Sequence, residues 1–191
     1  HTQREWRNPK ARIIPKYDLA VLHDPNEKMP PSSVASMKHF ARIAEKLSVD
    51  VEPITRRQLD ELAEYDGLFI RETTSIDNHT YRFARRAWQE GMPVIDDPIS
   101  MIRCTNKVYL WERLTHAGLP VPETFVIQDP ADLGRVADTL GFPVVVKIPD
   151  GSFSRGVRKA GARSITSAVR GQMHNAATRA EAMALIRSGT R

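Results

Sequence analysis

Along the first hundred residues, short apolar runs alternate with segments whose apolar positions recur every three or four residues. The runs are typical of buried strands, and the wider spacing is typical of helices that bury one face. The predicted strands are Asp18–Leu22, Val49–Ile54, Gly67–Arg71 and Pro93–Asp96. The predicted helices are Ser33–Leu47, Arg56–Glu64 and His79–Glu90, the last with Tyr81, Ala84, Ala87 and Trp88 facing inward.

This alternation predicts βαβ units with right-handed crossovers and a parallel sheet. We therefore expect a small doubly wound α/β domain over residues 17–100, preceded by a polar linker arm over residues 1–16. Sheets of this kind bind ligands at the carboxyl ends of their strands. The polar segments that follow the predicted strands are His23–Asp24, Arg71–Thr74 and Asp96–Asp97.

A second unit is predicted over residues 101–160, with two helices and two strands. The helices are Asn106–His116 and a segment from Asp129 to Leu140, which ends at Gly141. The strands are Glu123–Gln128 and Val144–Ile148. Helices and strands in this order predict a small α+β lobe.

The last segment, residues 161–191, differs in character from the rest. It contains no aromatic residue, no proline and one acidic residue, Glu181. Its few large apolar groups offer little to offset the ordering entropy, about 1–2 kcal/mol per residue. We expect a divergent basic tail that packs weakly and exchanges its amide protons quickly, with a weak helix over Ala176–Arg187 and no strand.

Charge is distributed unevenly between this tail and the rest of the chain, whose total net charge is +5. Residues 151–191 contain eight basic and one acidic residue, whereas residues 1–150 contain twenty basic and twenty-two acidic ones. A body this close to neutral makes a nucleic-acid partner unlikely. The short apolar runs predict no membrane span, and a single cysteine, Cys104, fits a reducing, cytoplasmic setting.

The segment KIPDGSFSRGV, which begins at Lys147, places a lysine on an apolar strand and then continues into a loop of glycine and serine. Such loops can surround phosphate with backbone N–H groups, or they can simply turn a corner. A Walker A loop would need a lysine where Val157 stands, so we reject that motif. Lys107, at the start of a predicted helix, could hold the same polyphosphate, although each lysine could equally extend to solvent.

Three motifs, in order and in spacing, resemble the RimK-like group of ATP-grasp ligases over about residues 17–159. They are FIRETTSIDNHTYRFARRAWQEGMPVIDDP from Phe69, the overlapping PVIDDPISMIRCTNKVYLWERLTHAGLPVPETFVI from Pro93, and GFPVVVKIPDGSFSRGV from Gly141. The resemblance implies a pre-ATP-grasp domain followed by the first, small lobe of an ATP-grasp module. It also implies MgATP-dependent activation of a carboxylate as an acyl phosphate, which an amine such as that of glutamate then attacks.

The resemblance assigns roles to particular positions. It implies that Arg71 lies beside the substrate as a catalytic residue and that ATP phosphates contact Lys107 and Lys147. The loop that closes over the phosphates would comprise Asp150, Gly151, Ser152, Phe153, Ser154, Arg155 and Gly156. The implied partners are a small-molecule or peptide carboxylate and an amino acid, and the resemblance is compatible with a homo-oligomer.

The family pattern is not followed after Ala160, where its adenine hinge and its Mg²⁺ ligands would be expected. We therefore expect an incomplete ligase that is inactive by itself, with no metal ligand among the residues of this chain. Two other hypotheses stay open. One is a non-catalytic α/β module that binds a ligand or a partner, and the other is an RNA or an acidic surface bound by the basic tail.

Overall fold

The computed structural model describes residues 15–151, 156–175 and 183–187. The chain divides into two compact units, His1–Ile102 and Arg103–Arg191. Within the described residues, no helix has both the length and the apolar character needed to cross a bilayer. The two units are considered in turn.

The first unit contains a four-stranded parallel sheet in the order β2-β1-β3-β4. The prediction that the first and third strands are neighbours is confirmed, since Leu19 is in register with Gly67 and Leu22 with Ile70. The strands are β1 (Tyr17–Leu22), β2 (Val49–Ile54), β3 (Gly67–Ile70) and β4 (Val94–Ile95). The helices that begin in this unit are α1 (Val34–Lys46), α2 (His79–Gln89) and α3 (Pro98–Thr105).

Helices cover both faces of this sheet, as a doubly wound fold requires. Phe69 of β3 meets Phe40 of α1, with ring centroids 5.5 Å apart. Its neighbours Leu68 and Ile70 point to the opposite face and belong to the core that contains Phe83 of α2. The alternation of side chains along a strand therefore connects one short strand to two helices.

A polar cap fixes the start of α1, and an apolar face explains how α2 packs. Ser33 caps α1, because its hydroxyl accepts a hydrogen bond from the N–H of Ser36 at 3.1 Å. In α2 the buried face consists of Thr80, Phe83, Ala84 and Ala87. The predicted inward position of Trp88 is wrong, since 54% of this residue is exposed.

Two elements near these helices differ from the predictions. Residues 56–64 form turns and a short 3₁₀ segment, Leu62–Glu64, in place of the predicted helix. Helix α3 was not predicted. It follows from the Asp97-Pro98 pair, because the Asp97 carboxylate accepts hydrogen bonds from the N–H groups of Ile99 and Ser100 at 2.9 and 3.0 Å.

The second unit contains a four-stranded antiparallel sheet in the order β5-β8-β6-β7. Its strands are β5 (Thr124–Ile127), β6 (Val144–Lys147), β7 (Arg158–Ala160) and β8 (Met183–Arg187). Its helices are α4 (Lys107–His116), α5 (Leu133–Leu140) and α6 (Ile165–Asn175), and a 3₁₀ segment, Pro130–Asp132, precedes α5. The helix predicted from Asp129 is therefore divided in two.

Two predictions for residues 161–191 are wrong where this segment is described, namely that it packs weakly and that it contains no strand, whereas its fast amide exchange stays a prediction. Strand β8 lies between β5 and β6 and pairs with both, although no strand was predicted and a weak helix was expected to extend to Arg187. Helix α6 buries Ile165, Ala168 and Val169 in the core of the second unit. The described parts of this segment, 161–175 and 183–187, thus belong to the antiparallel lobe, and the small and branched apolar residues of α6 fill part of its core.

Candidate functional site

Lys107 and the loop that follows β6 lie together in the second unit. Lys107 is the first residue of α4, and its backbone N–H donates to the carbonyl of Pro149 at 3.0 Å. Its Nζ donates to the same carbonyl at 3.1 Å and also to the carbonyl of Gly151. The loop after β6 is therefore attached to the amino end of α4 through both the backbone and the side chain of one lysine.

Asn106 makes a second connection between the same two elements. Its Oδ1 caps α4 by accepting from the N–H of Tyr109 at 2.9 Å, and its Nδ2 donates to Asp150 Oδ1 at 3.0 Å. One amide side chain thus satisfies a free N–H of the first helical turn and holds the loop carboxylate. The amino end of a helix also attracts anions through the aligned peptide dipoles.

The electrostatics of this region favour the arrival of an anion. Burial lowers the pKa of Lys107 below its ordinary value, Asp150 acts in the opposite direction, and the positive charge of Lys147 lowers that pKa further. Lys147 is therefore near enough to Lys107 to repel it. A phosphate bound here would relieve the repulsion between the two lysines, which the Asp150 carboxylate already offsets in part.

The remaining residues of the predicted phosphate loop are only partly described. Asp150 and Gly151 contact the amino end of α4 as above, and Gly156 has a φ of 72°, which favours glycine. The predicted contacts of Ser152, Phe153, Ser154 and Arg155 lie outside the described residues. A phosphate-binding role for this loop stays a prediction.

Arg71 belongs to the first unit, at the carboxyl end of β3, and its guanidinium is already engaged. Its Nε and one terminal nitrogen donate to Ser32 Oγ at 2.9 and 2.7 Å, and that nitrogen also donates to the carbonyl of Pro31 at 2.8 Å. Arg71 therefore holds the loop between β1 and α1. The catalytic role that the resemblance implies for Arg71 stays a prediction.

The sequence analysis missed a pair of titratable side chains next to Arg71. Glu72 is buried, and its Oε2 lies 2.5 Å from Nε2 of His79, the first residue of α2. Glu27 accepts from the backbone N–H of Thr73 at 3.2 Å and also from the hydroxyl of Thr73. The signal that could have identified the pair is a charged residue directly after a buried strand, followed by a histidine at the start of the next helix.

A cavity of about 600 Å³ lies elsewhere in the first unit, beside β3 and β4. Its walls are apolar apart from Asp97, and two of its lining side chains, Trp88 and Ile95, are largely exposed. The full lining comprises Leu19, Phe40, Gly67, Leu68, Phe69, Trp88, Met92, Pro93, Val94, Ile95 and Asp97. A surface of this kind suits an apolar ligand or a protein partner rather than a nucleotide.

No group of three or more His, Cys, Asp or Glu side chains in the part of the chain that the structure describes could hold a metal ion. The described residues therefore do not fit the Mg²⁺ that the resemblance implies, and none of them is assigned to it.

No protein-family model matches the chain. Among curated proteins, it is 32% identical over 116 residues to the alpha-aminoadipate–LysW ligase LysX of Saccharolobus solfataricus, covering 54% of this chain and 42% of that protein. It is also 48% identical over 119 residues to GTP cyclohydrolase 1 of Streptomyces avermitilis, covering 61% of this chain and 57% of that protein. The chain thus spans about half the length, or less, of the curated ligase it matches, and it has similarity to two classes of enzyme.

The similar solved structures are ATP-grasp proteins and related ligases. A RimK domain ATP-grasp protein from Sphaerobacter thermophilus has a TM-score of 0.69 at 15% identity, covering 90% of this chain and 64% of that one. D-alanine–D-alanine ligase from Bacillus anthracis, solved with ATP, has a TM-score of 0.65 at 17% identity, covering 91% of this chain and 57% of that one. The chain is therefore similar in sequence to a LysX ligase and similar in fold to ATP-grasp structures, among them a RimK domain protein.

Proposed function

We propose that this chain carries the phosphate-binding lysines and a substrate-binding domain of an ATP-dependent carboxylate–amine ligase of RimK type. The observation that supports this most directly is that Lys107, at the amino end of α4, donates from its backbone N–H and its Nζ to the loop that directly follows Lys147. Two lysines and a helix amino end supply positive potential in this region, and the Asp150 carboxylate, which accepts from Asn106, offsets part of it. A triphosphate would be favoured by positive groups placed in this way.

The reaction that such a site would serve has two steps. A carboxylate oxygen attacks the γ-phosphorus of ATP, the bond to the ADP oxygen breaks, and an acyl phosphate forms. The amine nitrogen then attacks the acyl carbon and loses a proton, and inorganic phosphate leaves as the amide forms. The lysines would hold the phosphates in line and offset their negative charge, because phosphoryl transfer depends mainly on positioning and charge neutralisation.

The substrates proposed here are a small-molecule or peptide carboxylate and an amino acid such as glutamate. The named relatives support this class, since one joins alpha-aminoadipate to LysW and another joins two D-alanine molecules. We place Arg71 in the substrate region as the residue that positions the loop between β1 and α1, because its hydrogen bonds run to Pro31 and Ser32.

Calorimetric titration with ADP tests the role of the lysines. We expect Lys147→Ala to weaken ADP binding at least tenfold, which is about 1.4 kcal/mol. Lys38→Ala is the matched control, since this lysine is exposed on α1 in the other unit and is expected to leave ADP binding unchanged. Equal ADP binding by the wild-type protein and by Lys147→Ala would overturn the phosphate role.

GTP should be titrated in the same series, because GTP cyclohydrolase 1 is among the similar proteins and acts on GTP by its name. The ligase proposal predicts that ADP and ATP bind more tightly than GDP and GTP. A preference for guanine nucleotides that persists in Lys147→Ala would contradict it and would favour a second nucleotide site.

A second candidate function is a non-catalytic module, and the apolar cavity beside β3 and β4 is the observation that favours it. Exposed Trp88 and Ile95 would then be covered by a ligand or partner. If the cavity is the functional site, Trp88→Ala abolishes binding of that ligand or partner. The ligase proposal predicts instead that Trp88→Ala leaves ADP binding unchanged.

A further inference from the structure

The outer edge of the parallel sheet carries an exposed apolar surface. β4 is the edge strand and pairs with β3 alone among the described strands. Trp88, at the end of α2, and Ile95, on β4, line the same cavity of about 600 Å³ and are 54% and 63% exposed. Large apolar side chains that are exposed around one cavity are typical of a surface that another molecule covers.

The fold explains why this surface is left open. Ile95 is in register with Phe69 of β3, so the two side chains lie on the same face of the sheet. Phe69 meets Phe40 of α1, whereas Ile95 lies one strand further out and stays largely exposed. The helix that covers the centre of this face therefore leaves the side chain at its edge accessible.

Charged side chains of opposite sign flank the apolar surface. Arg85 lies three residues before Trp88 on α2, and residues with this spacing are neighbours on the surface of a helix. Asp96 directly follows Ile95 and is exposed. Neither Arg85 nor Asp96 forms an ion pair among the described residues. The surface thus has a free cation on its α2 side and a free anion on its β4 side.

This charge pattern indicates a second copy of the chain as the occupant. In a two-fold interface the same surface is used by both partners, so it must be complementary to itself. An apolar centre with a cation on one side and an anion on the other meets this requirement, because the two-fold axis brings the cation of one copy towards the anion of the other. A nucleotide fits less well, since Asp97, an acidic residue, is the charged member of the described cavity lining.

We propose that two copies of this chain associate through the surface formed by Arg85, Trp88, Ile95 and Asp96. Trp88 and Ile95 of both copies form the centre of the interface, and Arg85 of each copy pairs with Asp96 of the other. Two large apolar side chains per copy are few compared with a standard interface, which buries about 800 Å² on each partner. We therefore expect a reversible dimer with a dissociation constant on the order of tens of micromolar.

Sedimentation velocity of the full chain, without nucleotide, tests the proposal. Measured from well below to well above the expected dissociation constant, the sedimentation coefficient should rise from the monomer value to the dimer value. Ile95→Lys should weaken the association at least tenfold, about 1.4 kcal/mol, because it places a like charge from each copy in an apolar centre. Ile43→Lys is the matched control with no expected change, since Ile43 is 45% exposed on α1, outside this surface.

Exchange of the two charges tests the two-fold arrangement. Arg85→Asp and Asp96→Arg should each weaken the dimer about fivefold, because each places like charges opposite one another. The double variant should restore the wild-type affinity to within about twofold. If Ile95→Lys does not fold, this cycle decides the question with exposed residues alone. A double variant weaker than both single variants, or wild-type association by folded Ile95→Lys, would overturn the proposal.

Other occupants of the surface give a different result. A wild-type chain that stays monomeric at every concentration would overturn the proposal, whether another part of the same chain or an unrelated molecule covers the surface. The inference does not rest on the ligase function, since Lys147→Ala is expected to lose ADP binding and to dimerise as the wild type does. Unchanged ADP binding by Lys147→Ala, together with an intact dimer, would overturn the ligase function and leave the dimer standing. Below the dissociation constant the protein is monomeric, so Trp88 then behaves as an exposed side chain in denaturation experiments.

Discussion

The two sheets are of equal size but are assembled in different ways. In the parallel sheet of the first unit, all four strands fall within 79 residues, from Tyr17 to Ile95, and each is joined to the next through a nearby helix or turn. In the antiparallel sheet of the second unit, β8 inserts between β5 and β6 from the far end of the described chain. Local pattern therefore determines the first sheet, whereas a distant segment completes the second.

Proline substitution in the central strand of each sheet tests this comparison with the largest expected effect. Val21→Pro in β1 and Leu185→Pro in β8 each remove a backbone N–H from a strand with neighbours on both sides. Each should cost about 3 kcal/mol or more and abolish amide protection in its own sheet. Hydrogen exchange measures this effect.

Leu185→Val is the control, since valine keeps the N–H and favours strands. If Leu185→Pro retains full protection in β5 and β6, β8 is not the central strand, and the second sheet is then as local as the first.

Within the first unit, the contribution of a core side chain and that of a surface side chain can be compared in one helix. Phe83 is almost completely buried, whereas Trp88, five residues further along α2, is half exposed. Phe83→Ala should lower the free energy of unfolding by about 3–5 kcal/mol, because it leaves a cavity in the core of the first unit. Trp88→Ala should cost about 0.5 kcal/mol or less, as exposed substitutions usually do. Urea denaturation of both variants gives the difference, and equal losses would mean that Trp88 is covered in solution.

The smallest expected effect is the pH dependence that Glu72, at the carboxyl end of β3, gives to the free energy of unfolding. The pKa of Glu72 is raised above its ordinary value of 4.5, chiefly by burial. The folded protein therefore keeps the proton at pH values where the unfolded chain has lost it, and stability falls as pH rises through this window. The difference in unfolding free energy between the wild type and Glu72→Gln should decrease from pH 4.5 upward, by at most about 1.4 kcal/mol per pH unit.

Denaturation across this pH range, with Glu45→Gln as the reference variant, measures that slope. A difference between wild type and Glu72→Gln that grows with pH would show that the ion pair with His79 outweighs the burial of Glu72.

The parallel sheet could be predicted from the sequence because the residues of each strand or helix themselves carry the signal that specifies it. The apolar run 18–22 and the cap Ser33 are both local signals, and both were sufficient. Trp88 was assigned to the wrong face because a helical stripe with two aromatic residues at its margin does not reveal which of them the sheet covers. Strand β8 could not be predicted, since this five-residue segment forms a strand only through backbone pairing with β5 and β6.

The residues of the candidate site could be predicted in part, whereas their contacts could not. Lys107 and Lys147 could be named from the resemblance, and the structure adds that Pro149 and Gly151 accept hydrogen bonds from Lys107. The sequence offered a signal for Glu72 and His79 as candidates, but not for their contact, because six residues of loop and cap separate them. Only the fold determines that the end of β3 and the start of α2 meet.

The central place of β8 has a consequence for the order in which the chain becomes stable during its synthesis. Thirty-five residues separate the end of β6 from the start of β8, so translation at about 5–20 residues per second leaves a delay of roughly 2–7 seconds. During this delay, β6 can pair with β7, whereas the described partner of β5 has not yet been made. An apolar strand with free edges is a template for intermolecular pairing. The nascent second unit is therefore most exposed to aggregation just before its last strand emerges, and a chaperone would be most useful at that point.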